Sequence, residues 1–436
     1  MKSVRLSNSE FALYRRISRR IVPFLFLCYV VAFLDRVNIG FAKLEMAGQL
    51  DFSDAVYGFG AGIFFIGYFL FEVPSNLILE KVGAKYWIAR IMVTWGVISA
   101  CMMLVKTAFW FYTLRFLLGA AEAGFFPGVI LYLTYWFPAA QRCRMTALFL
   151  TAVAISNVIG APISGSIMQF LDGAKGWQGW QWLFLLEGIP SVLLGGLVLA
   201  WLPDGPQNAG WLSAAERSLV LRHLADDEAA KTSLELRHRF GDVFRDGRVW
   251  ALAFCYLCMM NGFYGVNFWM PTIIQELGID QNDYLKVSLL SMVPWGVAAM
   301  SMVLIGSHSD RTGERFWHAI IPILTAAAGL LGLAVVGHAP IPSMLCLTLI
   351  ASGLLAAISV FWSIPAGFLS GTAAAAGIAW INSLGNLGGF GGPDLIGRIR
   401  TATDSTEMAF YTLTAIMLLG ALPLIIMWHQ SKALNR

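Results

Sequence analysis

The sequence predicts an all-α membrane protein with twelve transmembrane helices in two pseudo-symmetric six-helix bundles. The first observation is composition, because 58% of the 436 residues are hydrophobic, 13% are charged and the mean hydropathy is +0.67. This composition is too apolar for a water-soluble chain of this length. The second observation is a series of twelve apolar windows of spanning length, and the third is an internal repeat that divides them six and six.

The twelve windows each hold about 20 mainly apolar residues, which is the length needed for a helix to cross a bilayer. They lie at 21–41, 55–79, 86–106, 110–136, 145–171, 182–202, 248–274, 286–306, 317–337, 342–363, 373–397 and 408–429. Helices satisfy every backbone hydrogen bond within the segment, as the hydrocarbon core demands. The windows are therefore interpreted as twelve helices.

One long polar stretch, 203–248, separates the two predicted bundles. The first bundle is placed at 1–202 and the second at 249–436, with 203–248 as a cytoplasmic linker. Ser213 precedes Glu216 by three positions, which is the spacing of a capping box. A short amphipathic helix is therefore expected to begin there.

The basic residues predict the orientation of the spans. With both termini in the cytoplasm, and with basic residues near the window ends counted with the adjacent loops, 22 of the 30 Lys and Arg residues lie on the cytoplasmic side and six on the other. Arg36 and Arg115 remain deep within spans. This distribution follows the positive-inside rule. It places both termini of a multi-pass protein in the cytoplasm, and it explains the net charge of +4 without a nucleic-acid partner. A bacterial inner (plasma) membrane is the expected location.

The internal repeat appears in two loops, each with an acid, a base, any residue and a glycine, 230 positions apart. Their predicted gating residues are Glu80, Lys81, Gly83 and Lys85 in the first half, and Asp310, Arg311, Gly313 and Arg315 in the second. Secondary transporters with parallel duplicated halves bind their substrate at the midplane interface of those halves. The repeat therefore indicates a transporter with a central site.

These loops resemble the signature loop of the major facilitator superfamily, and Arg115-x-x-x-Gly119 is similar to its second motif. Longer runs such as FLDRVNIGFA, LRFLLGAAEAGFFPGVILYLTYWFP and INSLGNLGGFGGP resemble the anion:cation symporter family, nearest to its tartrate and phthalate permease branch. The resemblance covers essentially the whole chain. It implies the major facilitator fold and proton-coupled uptake of an organic anion.

Two acids and two bases, Asp35, Arg36, Arg115 and Glu122, lie within otherwise apolar spans. Arg115 and Glu122 are two turns apart on one helix face, whereas Asp35 and Arg36 diverge by about 100° around their helix. An unpaired charge at mid-membrane costs about 2.5–3.5 kcal/mol. Mutual pairing around a water-filled site is therefore expected, and a purely structural salt-bridge network is the alternative.

Arginine suits a carboxylate substrate because its guanidinium offers paired donors and keeps its charge. With both acids ionised, each arginine is expected to be held by a protein carboxylate. Protonating the acids would release the arginines for the substrate, so proton and anion enter together. The resemblance also implies proton-coupling roles for Asp35 and Glu122, and anion-binding or relay roles for Arg36 and Arg115.

Other polar residues on spans 2, 7 and 11 are candidates for hydrogen bonds to the substrate, although such groups also join helices. They are Tyr68, Asn261, Tyr264, Asn267, Asn382 and Asn386. The resemblance favours Tyr68 and one asparagine of the eleventh helix. Glu72 and Glu187 are expected nearer the span ends, where snorkelling or pairing with loops would place them outside the site.

The first choice of cargo is a small hydroxylated dicarboxylate such as tartrate, with phthalate, hydroxyphenylacetate and sugar acids left open. The stretch Gly160-Ala-Pro162-x-x-Gly165 weakly resembles an antiporter motif, so anion exchange is an alternative. A membrane enzyme is not favoured, because no nucleophile beside a base and no metal cluster can be read. The expected partners are the anion, protons as the coupling ion and the bilayer, with no cofactor, no metal, and a monomer sufficient.

Overall fold

The computed structural model describes residues 8–235, 245–369 and 371–434, and these residues contain helices and no strands. Eleven of the described helical segments are long and apolar enough to cross a membrane. Part of the predicted linker, 236–244, lies outside the described residues. The chain is thus an all-helical multi-pass membrane protein, as the sequence predicts.

The first half, residues 8–201, contains eight helices that form six spans. They are α1 (Asn8–Val37), α2 (Ile39–Gln49), α3 (Asp54–Val82), α4 (Ala84–Cys101), α5 (Ala108–Glu122), α6 (Phe125–Thr134), α7 (Ala139–Leu171) and α8 (Gly179–Trp201). Two spans are interrupted, because α1 meets α2 at Asn38 and α5 meets α6 at Gly124. Gly124 has a φ of +89°, which glycine adopts without the steric cost that other residues meet.

The linker contains α9 (Ala214–Glu235). The predicted capping box is present, because the backbone N–H of Ser213 donates to Glu216 at 2.9 Å and the Glu216 N–H donates to the Ser213 hydroxyl at 3.3 Å. The first of these bonds also lowers the pKa of the Glu216 carboxyl below its usual value. We call the membrane side that carries α9 the linker side, and the opposite one the far side.

The second half, residues 247–434, repeats the six-span pattern. Its helices are α10 (Gly247–Gln275), α11 (Tyr284–Thr312), α12 (Phe316–Val336), α13 (Pro340–Phe361), α14 (Ser363–Ala366), α15 (Gly371–Asn386), α16 (Gly388–Thr403) and α17 (Glu407–Leu434). The predicted window 373–397 is formed by α15 and α16, which meet at Leu387 and have 16 residues each. This span is therefore two half-helices rather than one continuous helix.

The two halves pack mainly through α3 against α16 and through α7 against α11. Gly58 on α3 allows the first of these contacts, because a Cβ there would overlap the carbonyl oxygen of Pro393 and reach 3.2 Å from the Cα of Gly397. Small residues permit such close approach between membrane helices. The backbones of α3 and α16 therefore approach each other closely at the interface between the halves, toward the far side.

Gly119→Ala is expected to destabilise the first half. A Cβ at Gly119 on α5 would overlap the carbonyl oxygen of Phe64 and come within 3.0 Å of the backbone nitrogen of Tyr68, both on α3. Overpacking of this kind costs about 1–3 kcal/mol, and backbone atoms cannot move aside as a flexible side chain can. The melting temperature of the detergent-solubilised protein should fall. Gly196→Ala is the control, because no atom lies within 4 Å of a Cβ there, and equal losses in both variants would contradict the packing argument.

Candidate functional site

The centre of the candidate site is an ion pair between Arg36 on α1 and Glu122, the last residue of α5. Nη2 of Arg36 donates to Oε1 of Glu122, and Nη1 donates to the hydroxyl of Tyr264 at 3.0 Å. Both charged side chains are buried, with 10% and 4% of their surfaces exposed. Because Tyr264 belongs to α10, one guanidinium links the first half to the second.

Aromatic rings enclose this ion pair. The rings of Phe33, Phe64 and Tyr68 lie with their centroids 5.5, 5.3 and 5.7 Å from Cζ of Arg36. Such contacts stabilise a buried guanidinium, and the exclusion of water strengthens its attraction to a carboxylate. Nε of Arg36 has no hydrogen-bond partner among the described residues. The structure therefore brings Arg36, Glu122, Tyr68 and Tyr264 together, as expected for a shared site.

Asp35 lies in a different environment from its neighbour Arg36. Its carboxylate accepts hydrogen bonds from Trp95 at 2.9 Å, Ser99 at 2.8 Å and Ser191 at 2.5 Å, which come from α4 and α8. No ion pair to Asp35 occurs within the described part of the chain. The expectation that Asp35 pairs with an arginine is wrong, because the 100° step between adjacent helical residues turns it into the interior of the first half.

Arg115 is fully buried and binds backbone rather than a carboxylate. Its Nε donates to the carbonyl oxygen of Gly60 at 3.3 Å and Nη2 to that of Ala61 at 3.0 Å, both on α3. The described residues place no carboxylate within ion-pair distance of it, so the predicted pairing of Arg115 with an acid is wrong. Its Cζ lies 5.1 Å from the Phe64 ring, which therefore has both Arg36 and Arg115 close to it.

Three of the asparagines predicted on spans 7 and 11 do not contact the ion pair of Arg36 and Glu122. Asn261 donates to the Leu257 carbonyl of its own helix at 3.0 Å, and Asn267 donates to Asn157 of α7 at 2.9 Å. Asn386 is the half-buried last residue of α15. None of the three contacts Arg36 or Glu122 in the described structure, so their binding roles stay predictions.

Two acids were placed incorrectly by sequence reasoning. Glu72 and Glu187 are each 4% exposed and lie within the protein rather than at span ends. Glu72 accepts hydrogen bonds from Asn382 at 3.3 Å and Ser383 at 2.5 Å, and Glu187 accepts one from Ser164 at 2.7 Å. A signal for Glu72 was available, because it follows Tyr68 by four positions and so shares its helix face.

The repeated loops lie at the ends of α3 and α11 on the linker side. Gly83 and Gly313 end these helices with φ values of +93° and +70°, the conformation that favours glycine at a helix end. Lys85 pairs with Asp204 at 3.7 Å, and Arg315 pairs with Asp310 at 2.6 Å. The other predicted gating residues, Glu80, Lys81 and Arg311, are exposed. The ion pairs described for these loops stay within their own half or join it to the start of the linker.

On the far side, by contrast, an ion-pair network joins the two halves. Arg400 of α16 pairs with Asp54 of α3 at 2.8 Å and with Glu276 at 2.7 Å, and Lys43 of α2 pairs with Asp54 at 2.8 Å. Nζ of Lys43 also lies 3.8 Å from the centroid of the Trp269 ring on α10. Lys43 and Arg400 are two of the six basic residues that the sequence analysis counts on the non-cytoplasmic side, and that count did not predict this network. The network therefore holds the two halves together on the far side.

Arg400→Gln is expected to loosen the far side, because it leaves the carboxylates of Asp54 and Glu276 without the cation that joins them. Loss of a partly buried charge pair is worth about 1 kcal/mol or more, which corresponds to about a fivefold shift in population. Ala55→Cys gives a reporter, since the backbone N–H of Ala55 donates to Thr401 of the other half. In a background without native cysteines, its reaction with a membrane-impermeant maleimide should become severalfold faster.

Arg398→Gln is the matched control for that labelling experiment. Arg398 is 64% exposed at its side chain, and its one ion pair among the described residues is with Asp394, one turn away on its own helix. Its loss removes the same charge from the same end of α16 without breaking a contact between the halves. If both variants accelerate labelling equally, general electrostatics rather than the network controls access.

Comparisons with known proteins agree with the fold. The family model described as Major Facilitator Superfamily matches residues 25–393. A protein of Agrobacterium vitis named "Putative tartrate transporter" is 48% identical, covering 97% of this chain and 96% of the relative. A Pseudomonas putida protein named "Putative metabolite transport protein NicT" is 44% identical, covering 98% and 96%.

Among solved structures, a bacterial homologue of the human lysosomal transporter Spinster, in an inward-facing and occupied conformation, superposes with a TM-score of 0.77. It covers 95% of this chain and 96% of that one at 15% sequence identity. At this identity the likeness concerns the fold alone. It supports the arrangement of two six-span halves around a central interface.

Proposed function

We propose, because the chain belongs to the Major Facilitator Superfamily, that it imports a small organic carboxylate together with protons. Members of this family are transporters, so the chain is a transporter and not an enzyme. The best candidate cargo is a hydroxylated dicarboxylate of the tartrate type. The 48% identity to a relative named as a tartrate transporter supports this choice.

The observation that carries the proposal is the buried ion pair of Arg36 and Glu122 in the first half, whose guanidinium also donates to Tyr264 of the second half. A substrate carboxylate and Glu122 compete for the same guanidinium donors. Protonation of Glu122 removes its charge and releases Arg36 to the substrate. Proton and anion are then coupled, because either one alone leaves a buried charge without a partner, which costs about 3–5 kcal/mol.

Asp35 is proposed to bind a second proton. Its three donors, Trp95, Ser99 and Ser191, suit the ionised carboxylate. The two serine hydroxyls can also accept a hydrogen bond after rotation, so the protonated form can be accommodated without moving a helix. Two protons also balance the charge of a dianion, which on entering a negative-inside cell would otherwise oppose about 4.6 kcal/mol per 100 mV.

We place the linker side in the cytoplasm of a bacterial cell and the protein in the inner membrane. The excess of Lys and Arg on the linker side supports this orientation. The far-side network then closes the path from outside, and its opening would admit the substrate. The repeated loops on the linker side would control release to the cytoplasm.

The experiment that tests the proposal is uptake of labelled carboxylates into proteoliposomes that contain the purified protein. The panel includes tartrate, malate, phthalate, hydroxyphenylacetate and a sugar acid. External acidification is expected to stimulate uptake of at least one hydroxylated dicarboxylate. If external acid has no effect while anion preloaded inside stimulates uptake, the protein is an exchanger. If an aromatic acid is the preferred substrate, the transport class stands and the proposed cargo is wrong.

A further inference from the structure

Glu72 is a buried acid at the interface that the coupling scheme does not use. Its Oε2 accepts a hydrogen bond from the Ser383 hydroxyl at 2.5 Å, and Oε1 accepts one from the Asn382 amide at 3.3 Å. Both donors belong to α15, so the contact joins the first half to the second. Across the described residues, no Lys, Arg or His forms an ion pair with Glu72. The carboxylate therefore faces only neutral donors.

The position of Glu72 relates it directly to the proposed anion site. It follows Tyr68 by one turn on α3, about 6 Å along the helix axis on the same face. The Tyr68 ring in turn lies 5.7 Å from Cζ of Arg36. Tyr68 therefore has the Arg36 guanidinium near its ring and Glu72 one helical turn away on the same face of α3. Asn382 and Ser383 are half-buried, so neither donor to Glu72 is fully enclosed by protein.

The chemistry of a carboxylate determines what such a region can bind. An ionised carboxylate only accepts hydrogen bonds and has about four acceptor positions, of which Asn382 and Ser383 fill two. A ligand hydroxyl can donate to a third position. A ligand carboxylate would meet a like charge, and an apolar ligand group would cover the remaining acceptor positions without satisfying them.

We propose that Glu72 determines specificity by accepting a hydrogen bond from a hydroxyl group of the substrate while Arg36 holds a carboxylate. This inference rests on the proposed function and names the substrate feature that the site recognises. Glu72 thereby selects hydroxylated acids over acids of the same length that lack the hydroxyl. A site built to bind a hydroxyl discriminates strongly against the analogue without it, because its polar groups are then left unpaired.

Equilibrium binding of malate and succinate to the full chain in detergent tests this inference. The two acids share a four-carbon chain and two carboxyl groups, and malate has one additional hydroxyl. The wild type is expected to bind malate about tenfold more tightly than succinate, as one hydrogen bond to a charged group allows. Glu72→Gln should bring the ratio of the two dissociation constants severalfold closer to one, mainly by weakening malate binding.

Glu187→Gln is the matched control. Glu187 has the same 4% exposure as Glu72, but its hydrogen bond goes to Ser164 within the first half. The ratio of dissociation constants should therefore not change in this variant. A general loss of packing would weaken the binding of malate and succinate equally and leave the ratio of their dissociation constants at its wild-type value.

Each outcome is decisive. Equal binding of malate and succinate by the wild type overturns the inference without any variant, and so does an unchanged ratio in Glu72→Gln. If Glu72→Gln does not fold, Ser383→Ala decides instead. It removes one donor from Glu72, so the preference for malate must persist or increase. Loss of that preference in Ser383→Ala would show that Ser383 rather than Glu72 recognises the hydroxyl. A wild type that binds no carboxylate of the uptake panel contradicts the proposed function itself.

Discussion

Replacement of Glu122 by glutamine is expected to abolish uptake driven by an inward proton gradient while counterflow of labelled substrate persists. Glutamine has nearly the same shape as the protonated acid and cannot release a proton. Arg36 is then free to bind the anion at every pH, and the variant no longer has to take up a proton before the anion binds. Because Glu122 no longer competes for Arg36, affinity for the anion at alkaline pH should rise about tenfold or more.

Two measurements in the same proteoliposomes check this expectation: uptake with and without external acid, and exchange of external label against internal unlabelled substrate. Glu407→Gln is the control, since Glu407 is an exposed acid at the start of α17. Equal loss of both activities in Glu122→Gln would make Glu122 structural. Full stimulation by external acid in that variant would place the coupling proton elsewhere.

Replacement of Arg36 by lysine is expected to weaken anion binding by about 10–100-fold, even though the positive charge is retained. The guanidinium reaches Glu122 with one nitrogen and Tyr264 with another. An ammonium group is a point charge that cannot present two parallel donors to a carboxylate. The fold should survive, because lysine still neutralises Glu122.

Arg115→Lys is the matched comparison variant for Arg36→Lys. Arg115 binds the carbonyl oxygens of Gly60 and Ala61, so its replacement should lower thermal stability more than it lowers affinity for tartrate. Both quantities can be measured on the solubilised protein, by melting temperature and by calorimetric titration with tartrate. Arg115→Lys could instead weaken tartrate binding as much as Arg36→Lys does, with an unchanged melting temperature. In that case the substrate contacts Arg115 and the site is centred closer to α3.

The candidate site was predictable in part because some of its signals are local in sequence. Arg36 and Glu122 were identified as charges inside apolar windows, and such charges need a partner or a water-filled cavity. Tyr68 and Tyr264 are polar groups on spans 2 and 7, which makes them candidates for hydrogen bonds to the substrate. The structure places these four side chains together.

The partners of the other charged residues were not predictable, because they depend on how each helix is rotated and which helix packs against it. Asp35 is adjacent to Arg36 in sequence yet binds donors from α4 and α8. Arg115 was expected to bind an acid and instead binds backbone carbonyls of α3. No sequence spacing relates these groups, since a hydrogen bond between helices depends on angle and distance in three dimensions.

The sequence by itself determined the class of protein, the positions of the spans, the duplicated halves and the charged residues that need an explanation. Apolar length, helical period and loop charge are local properties, and the bilayer acts on each segment separately. The tertiary structure alone decided that Glu72 faces α15, and that Arg400 joins α16 to α3 and Glu276 on the far side. Those contacts arise between segments far apart in the chain, and their energies exist only once the helices have packed.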